Sequence, residues 1–387
     1  MPYYTTSQSP IYRQVSIDDL ISGYVDPEKF KPIRNAPSGT RTIFLNSIRP
    51  EIVNRYNIPG MIRVLKEFVE SNQALYQVPR ETLYQHFEIP KHSIDAATGR
   101  HKTRPIDAPL DPLKKALYDL KFILENHCGA SYHTSAFAYI PKRCAVDSVR
   151  RHQANKSFWF LKTDFSNFFG SITQQFTEQQ LHQIFPFSEI YKSAEGAEVL
   201  SKAISLCFLN NGLPQGTPIS PMLTNLIMIP IDHRLTNTLR RYRGNHYVYT
   251  RYADDILISC KIKYDYEDIV RYINGVLREF HAPFHINGDK TRFGSRNGHN
   301  FNLGVILNEK NEITIGYKRK MAFRGQLNDY LQTKLRGESQ PLHDVQILDG
   351  LLSYFSSIEP EYWKRVLQRF NEKHGVNLRH MIREDLK

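Results

Sequence analysis

Two adjacent carboxylates, Asp254 and Asp255, are flanked on both sides by apolar and β-favouring residues, Tyr249–Tyr252 and Ile256–Ser259. This pattern predicts a β-hairpin that carries both acids at its turn. Neighbouring carboxylates repel each other, and in a partly buried turn one of them takes up a proton unless a cation lies between them. Mg²⁺ prefers carboxylate oxygens and substrate phosphates, so the pair is a candidate magnesium site. For a single Asp-Asp pair, a solvated turn is the alternative.

Two segments further upstream favour chemistry over a solvated turn. Residues 158–164 form an apolar run that ends in Asp164, which predicts a strand that delivers a third carboxylate. Residues 213–216, Leu-Pro-Gln-Gly, combine Pro with Gly, which predicts a sharp turn whose backbone can approach a ligand closely. Gln215 offers both a hydrogen-bond donor and an acceptor in this turn.

In their order along the chain, these segments resemble the reverse transcriptases: a strand ending in Asp, then Leu-Pro-Gln-Gly with Ser220-Pro221 behind it, then Tyr-Ala-Asp-Asp. The resemblance covers roughly residues 87–370. It implies an α+β fold of the right-hand polymerase type, with fingers, a split βαβ (ferredoxin-like) palm and a helical thumb. The expected divisions are an N-terminal extension at 1–50, fingers at 51–130 with part of 170–212, a palm at 131–310 and a helical thumb at 311–387.

The resemblance also implies a catalytic centre made of three acids and a lysine. Asp164, Asp254 and Asp255 are expected to bind two Mg²⁺ ions, with the backbone carbonyl of Phe165 as a further ligand. Lys290 is expected to approach the leaving pyrophosphate as an acid or as a stabilising charge. A solvated loop charge is the alternative for this lysine.

A second set of residues is expected to surround the incoming nucleotide. By resemblance, Arg104 contacts the triphosphate from a fingers hairpin, since its planar fork suits phosphate oxygens, and Lys102 is a further candidate. Phe169 is expected beneath the sugar, where a bulky ring collides with a 2′-hydroxyl and selects deoxynucleotides. Gln215 is expected beside the sugar and phosphates, and Phe165 belongs to the same set through its backbone.

The charge balance favours a polyanionic partner. Lys and Arg number 51 against 39 acids, a net charge of +12, and nucleic acid is the first candidate. Residues 138–162 are rich in basic side chains with aromatic ones interleaved, which suits a nucleic-acid backbone, although ordinary surface has the same composition. The candidate contacts in this segment are Arg143, Arg150, Arg151 and His152.

The composition, 41% hydrophobic and 23% charged, is that of a globular protein. The four cysteines are far apart and form no metal-type pair, so we expect them to be reduced. No segment is apolar over enough residues to span a bilayer, and the N-terminus lacks the pattern of an export signal. These features predict a cytoplasmic protein without a membrane partner.

Together, these features predict an RNA-directed DNA polymerase that adds dNTPs to a primer 3′-hydroxyl. The expected partners are an RNA template, the dNTPs and the DNA product. The expected template is a cognate non-coding RNA used in antiphage defence. One alternative is a retron reverse transcriptase that makes RNA-linked DNA. A viral-type RNA polymerase and a non-catalytic RNA-binding protein built on the same palm are the others.

Overall fold

The computed structural model describes residues 56–94, 101–297 and 301–386. The predicted extension at 1–50 lies outside these residues. The described chain groups into two compact units, and both are built from separate stretches of sequence. Unit 1 contains the residues up to Arg143, Lys162–Ile258 and Asp265–Arg292, and unit 2 contains Cys144–Leu161, Ser259–Tyr264 and the residues from Phe293 onwards.

Unit 1 begins with helix α1 (Ile58–Ser71), where the Asn57 side chain caps the first turn by accepting from the Gly60 N–H at 2.9 Å. The apolar spacing of residues 50–88 predicts two helices, but residues 56–88, the part of this range that the structure describes, contain only one α-helix. Two short 3₁₀ turns stand there instead, because Pro79 is extended and cannot donate to a continuing helix.

The predicted hairpin that carries Arg104 is confirmed as an antiparallel pair of strands. Strand β1 (Tyr84–Ile94) runs alongside β2 (His101–Pro109), and their register places Ile89 opposite Arg104. The ladder pairs the backbone N–H and C=O groups that the two strands turn towards each other.

The sheet that carries the acids has four strands, β3 (Trp159–Asp164), β4 (Val248–Tyr252), β5 (Asp255–Cys260) and β6 (Arg292–Ser295). Their order across the sheet is β4-β5-β3-β6. The predicted acidic hairpin is confirmed, since Ala253 and Asp254 form the turn between β4 and β5. Because β5 lies beside β3, the third acid, at the end of β3, is brought to the same edge as the acidic turn.

Helices lie between these strands along the chain. They are α2 (Asp111–Phe122), α3 (Ala145–Ala154), α4 (Phe168–Ser171), α5 (Gln174–Leu181), α6 (Phe187–Ile190), α7 (Ala194–Ser205), α8 (Ser220–Ile227), α9 (Ile229–Leu239) and α10 (Tyr266–Glu279). Helix α8 has Pro221 in its first turn, where the missing N–H would have no helical partner. Asp265 caps α10 by accepting from Glu267 N–H at 2.9 Å.

Unit 2 contains a small sheet and a helical core. Strands β7 (Phe301–Asn302), β8 (Val305–Leu307) and β9 (Ile313–Thr314) pair in sequence order, and helices α11 (Tyr317–Leu335), α12 (Leu342–Ile358), α13 (Pro360–His374) and α14 (Leu378–Glu384) follow. Their apolar faces meet around Trp363, which is fully buried with Phe323 and Phe355 against it. Helix α12 continues through Gly350, because burial of its apolar face outweighs the weak helix propensity of one glycine.

Mixed helices and mainly antiparallel strands make this an α+β fold, as the sequence predicts. Within the described ranges, we find no helix whose length and apolar content would let it cross a membrane.

Candidate active site

Three acidic residues converge in unit 1 through backbone hydrogen bonds. The N–H of Phe165, directly after Asp164, donates to the Asp254 carbonyl at 3.1 Å, which ties the end of β3 to the acidic turn. The Asn287 N–H donates to the Asp164 carbonyl at 2.9 Å, which brings the segment of Lys290 to the same place. The turn has a left-handed residue, Ala253, with φ 57°, immediately before the acids.

The acids share one electrostatic environment. Burial raises the pKa of both Asp254 and Asp255 above the usual range of a carboxyl, and the Asp164 carboxylate raises both further. The ammonium of Lys162, which precedes Asp164 by two residues on β3, opposes this for Asp255. The cluster thus concentrates negative charge that a bound cation would stabilise.

Lys290 lies directly against the first acid. Its Nζ donates to Asp164 Oδ2, and this hydrogen bond is the main reason why the pKa of Lys290 is raised. Asp164 is only 5% exposed, and its other oxygen, Oδ1, is buried without a hydrogen-bond partner within the described chain. A buried carboxylate oxygen without a donor has free capacity to accept a cation.

The Leu-Pro-Gln-Gly turn connects the region of Phe169 to the hairpin. Leu213 N–H donates to the Phe169 carbonyl at 3.1 Å, and the Gln215 carbonyl accepts from Asp107 N–H on β2 at 2.7 Å. Gly216 has φ +118°, and a Cβ at this position would lie 2.8 Å from Ile106 Cγ2. A residue with a side chain does not fit here, so glycine allows the turn to approach β2.

The other candidate nucleotide-binding residues differ in whether their side chains are exposed. Arg104 is exposed on β2, and its charge is among the causes that lower the pKa of Asp254, so it lies within electrostatic range of the acids. The Phe165 ring is buried against Phe168 and Phe284, which leaves its backbone for any ligand contact. The side chain of Lys102 lies outside the described part of the structure.

The four basic candidates lie in three kinds of environment. The guanidinium of Arg143 donates from Nη1 to the carbonyls of His133 at 2.7 Å and Ala136 at 2.5 Å, so it holds its own loop. Arg150 is exposed beside Asp147, and Arg151 is half-buried.

His152 requires a correction. Its side chain is fully buried, and its Nδ1 lies 2.6 Å from Ser259 Oγ inside unit 2. Burial lowers the pKa of this histidine to about 3. A buried, neutral side chain cannot contact a polyanion, so His152 is not a nucleic-acid contact. The sequence pattern does not show that this position of α3 faces inwards.

Sequence reasoning missed the pair that supports the acidic turn. Arg251 and Asp232 form an ion pair at 2.7 Å with both side chains fully buried, and Arg251 Nη1 also donates to the Ala253 carbonyl at 3.0 Å. The available signal was a charged residue inside an otherwise apolar strand, since such a residue is buried only with a partner.

The fold and the convergent acids define the class of protein as an α+β polymerase. Residues 89–320 match the family model described as reverse transcriptase (RNA-dependent DNA polymerase). The chain therefore belongs to the reverse transcriptase family.

Curated relatives agree with this assignment. The retron Ec83 reverse transcriptase of Escherichia coli is 26% identical over 310 residues, which covers 75% of this chain and 88% of that protein. The retron Mx65 reverse transcriptase of Myxococcus xanthus is 34% identical over 155 residues, 40% of this chain and 34% of that protein. The chain is thus similar to bacterial retron reverse transcriptases.

Among solved structures, the chain is similar to apo telomerase from Candida tropicalis, with a TM-score of 0.43 at 14% identity. That alignment covers 78% of this chain and 61% of the telomerase chain. Telomerase from Candida albicans gives a TM-score of 0.42 at 12% identity, covering 80% of this chain and 58% of that one.

Proposed function

We propose that this protein extends a primer 3′-hydroxyl with dNTPs on an RNA template, using Asp164, Asp254 and Asp255 as its catalytic acids. The observation that carries the proposal is the backbone bond from Phe165 N–H to the Asp254 carbonyl, 3.1 Å, which holds acids from distant sequence segments in one place. Phosphoryl transfer of this type needs positioning and charge stabilisation more than covalent chemistry from the protein.

Two Mg²⁺ ions are the proposed cofactors, held by these acids and the Phe165 carbonyl. The partnerless Asp164 Oδ1 and the raised pKa values of Asp254 and Asp255 fit a cation-binding role. Among the residues that the structure describes, no three His, Cys, Asp or Glu side chains meet closely enough to hold a metal by themselves. Mg²⁺ suits this arrangement, because it commonly takes one or two carboxylates and completes its shell with substrate phosphates and water.

Bound Mg²⁺ would lower the pKa of the primer hydroxyl and neutralise the triphosphate. Lys290, whose Nζ donates a hydrogen bond to Asp164, is proposed to stabilise the departing pyrophosphate with its ammonium group.

The other candidates are proposed to surround the nucleotide. Arg104 and Lys102 are proposed to bind the triphosphate, Gln215 to orient the nucleotide, and Phe169 to exclude a 2′-hydroxyl. Arg143, Arg150 and Arg151 are retained as candidate contacts to the nucleic-acid backbone.

The chain is proposed to divide as the family does, with fingers at 51–130 and part of 170–212, a palm at 131–310 and a helical thumb at 311–387. The proposed template is a cognate non-coding RNA, copied in the cytoplasm as part of antiphage defence. The net charge of +12 supports a polyanionic partner of this kind.

A second candidate is a retron-type activity, in which the DNA product stays linked to the RNA. The similarity to the Ec83 and Mx65 retron reverse transcriptases favours it. The two candidates differ in the product: retron-type DNA carries a covalently attached RNA that ribonuclease removes, whereas a free product does not change in mobility after ribonuclease.

The test is primer extension by the purified protein on an RNA template with Mg²⁺. We expect DNA synthesis by the natural sequence and none by Asp254→Asn, which removes a charge from the acidic turn. Asp119→Asn is the matched control, because Asp119 is a surface acid paired with Lys115 on α2 and such pairs contribute little. Undiminished synthesis by Asp254→Asn would end the proposal, and a protein that binds RNA but makes no DNA on any template would be a non-catalytic binder.

A further inference from the structure

Within the segment of residues 132–140, Tyr139 is the exposed residue. Its ring is 56% exposed, whereas its neighbours Phe137, Ala138 and Ile140 are 4%, 1% and 7% exposed. A single exposed ring is ordinary on a protein surface, so a role for Tyr139 has to be argued from its conformation and its position.

The backbone of Tyr139 adopts an unfavourable conformation to achieve this. Its φ is 61°, in the left-handed region that bulky side chains rarely occupy. Such strained residues persist only where the surroundings hold them, and they concentrate at ligand-binding sites.

Hydrogen bonds on both sides hold the segment. The buried Asn225 side chain on α8 donates to the Ala138 carbonyl at 2.7 Å. The Phe137 N–H donates to the Arg251 carbonyl at 2.9 Å, and the Arg251 N–H donates to the Ser135 carbonyl at 2.7 Å. The segment is therefore fixed to β4, the strand that leads into the acidic turn.

The hydrogen bonds to β4 bring the segment of Tyr139 towards the acidic turn, and the electrostatic neighbours of Tyr139 agree with this position. Burial is the main cause that raises its pKa, and the next causes are the Asp254 carboxylate and Tyr252, while Arg104 opposes them. The ring thus lies within electrostatic range of the acidic turn and of the arginine on β2, the two groups that the proposed function assigns to the incoming dNTP.

We propose that Tyr139 is a nucleotide-positioning residue whose ring packs against the incoming dNTP between the acidic turn and Arg104. This inference rests on the proposed polymerase function and adds a residue to it. The aromatic face supplies the contact, since a base or sugar can pack on a ring without sequence-specific hydrogen bonds. A ring held in advance by a strained but fixed backbone loses little freedom on binding.

The test measures KM for dNTP, kcat and the affinity for template-primer in single-nucleotide extension. Tyr139→Leu removes the ring, and we expect KM for dNTP to rise roughly ten-fold, the size of one base-aromatic contact. Tyr139→Phe keeps the ring and should stay within about two-fold of the natural protein. Tyr118→Leu is the matched control, because Tyr118 is 53% exposed on α2 and is not among the proposed site residues.

A further variant separates function from folding. Asn tolerates the left-handed conformation, so Tyr139→Asn should keep or raise the thermal midpoint while it raises KM for dNTP as Leu does. A purely structural role would instead lower the midpoint and the active fraction, with KM unchanged.

A KM for dNTP within about two-fold in both Tyr139→Leu and Tyr139→Asn would overturn the inference and leave the polymerase proposal intact, and so would a loss confined to template-primer affinity. A natural-sequence protein that makes no DNA would overturn both.

Discussion

Arg251 and Asp232 form a buried ion pair that supports the acidic turn. The guanidinium donates from Nε to Asp232 Oδ1 at 2.9 Å and from Nη2 to Oδ2 at 2.7 Å, and its Nη1 reaches the Ala253 carbonyl at 3.0 Å. Asp232 Oδ1 also accepts from the Tyr249 hydroxyl at 2.7 Å. One side chain therefore links a core carboxylate on α9 to the residue that precedes Asp254.

We predict that Asp232→Asn or Arg251→Met, each made alone, destabilises the protein by about 3–5 kcal/mol, because each leaves its partner as an uncompensated buried charge. Urea unfolding followed by circular dichroism measures this loss. A change below about 1 kcal/mol would mean that water or a rearrangement satisfies the remaining group.

Removing all three polar groups of this network distinguishes stability from positioning. In the triple variant Arg251→Met, Asp232→Leu, Tyr249→Phe, apolar side chains replace the network, and most of the lost stability should return. The kcat of the triple variant should remain below that of the natural protein, because no side chain donates to the Ala253 carbonyl next to the acids. Full recovery of kcat would show that the pair acts only in folding.

Gly216→Ala should destabilise the turn and lower activity. The new Cβ would lie 2.8 Å from Ile106 Cγ2 and 3.0 Å from the Asp107 carbonyl oxygen, at a backbone φ of +118°. We expect a loss of about 1–3 kcal/mol and a weaker dNTP affinity, because Gln215 lies next to the displaced backbone. Thermal unfolding and KM for dNTP are the measurements.

Gly350→Ala is the matched control for that substitution. A Cβ at residue 350 meets nothing within 4 Å, and the residue lies inside helix α12. The same chemical change should stabilise the protein by about 0.5–1 kcal/mol there. Equal effects at the two glycines would contradict the steric account of Gly216.

The acidic hairpin and the strand ending in Asp164 follow from local sequence, because apolar strands bounded by acids and turn residues carry their own signal. The α+β fold and the hairpin that carries Arg104 are expected from the resemblance to reverse transcriptases, because the three motifs occur in that family's order. The second helix expected within residues 50–88 does not form in the described part of that range, because Pro79 interrupts it between two 3₁₀ turns. From Tyr84 onwards the chain pairs with β2, a partner that local sequence does not reveal.

The environment of single side chains is harder to predict than the elements. His152 looks like part of a basic surface, but the rotation of α3 about its axis buries it, and only tertiary packing sets that rotation. Arg251 and Asp232 are 19 residues apart, and neither residue type indicates that they meet in the core. Charges buried by pairing are the features that sequence patterns describe least well.

Phe169→Ala should increase the use of ribonucleotides. If the ring lies beneath the sugar, its removal makes room for a 2′-hydroxyl, and we expect the ratio of kcat/KM for rNTP to that for dNTP to rise roughly 10- to 100-fold. Phe122→Ala is the control, because Phe122 is 57% exposed at the end of α2. An unchanged ratio with intact dNTP extension would remove Phe169 from the nucleotide site.

The buried His152 should make unit 2 sensitive to mild acid. Burial lowers its folded-state pKa to about 3, below the unfolded value of about 6.5, so the unfolded state binds the proton first. The contribution to stability is therefore complete above about pH 6.5 and is lost as the pH falls towards the folded-state pKa. The loss is about 1.4 kcal/mol per pH unit once the unfolded histidine is protonated.

His152→Asn tests this, because Asn keeps a hydrogen-bonding group near Ser259 Oγ but does not titrate. In urea titrations, this variant should show a shallower loss of unfolding free energy between about pH 6.5 and 5. His343→Asn, at an exposed position on α12, should follow the natural protein, and a parallel slope for His152→Asn would contradict the neutral, buried state of this histidine.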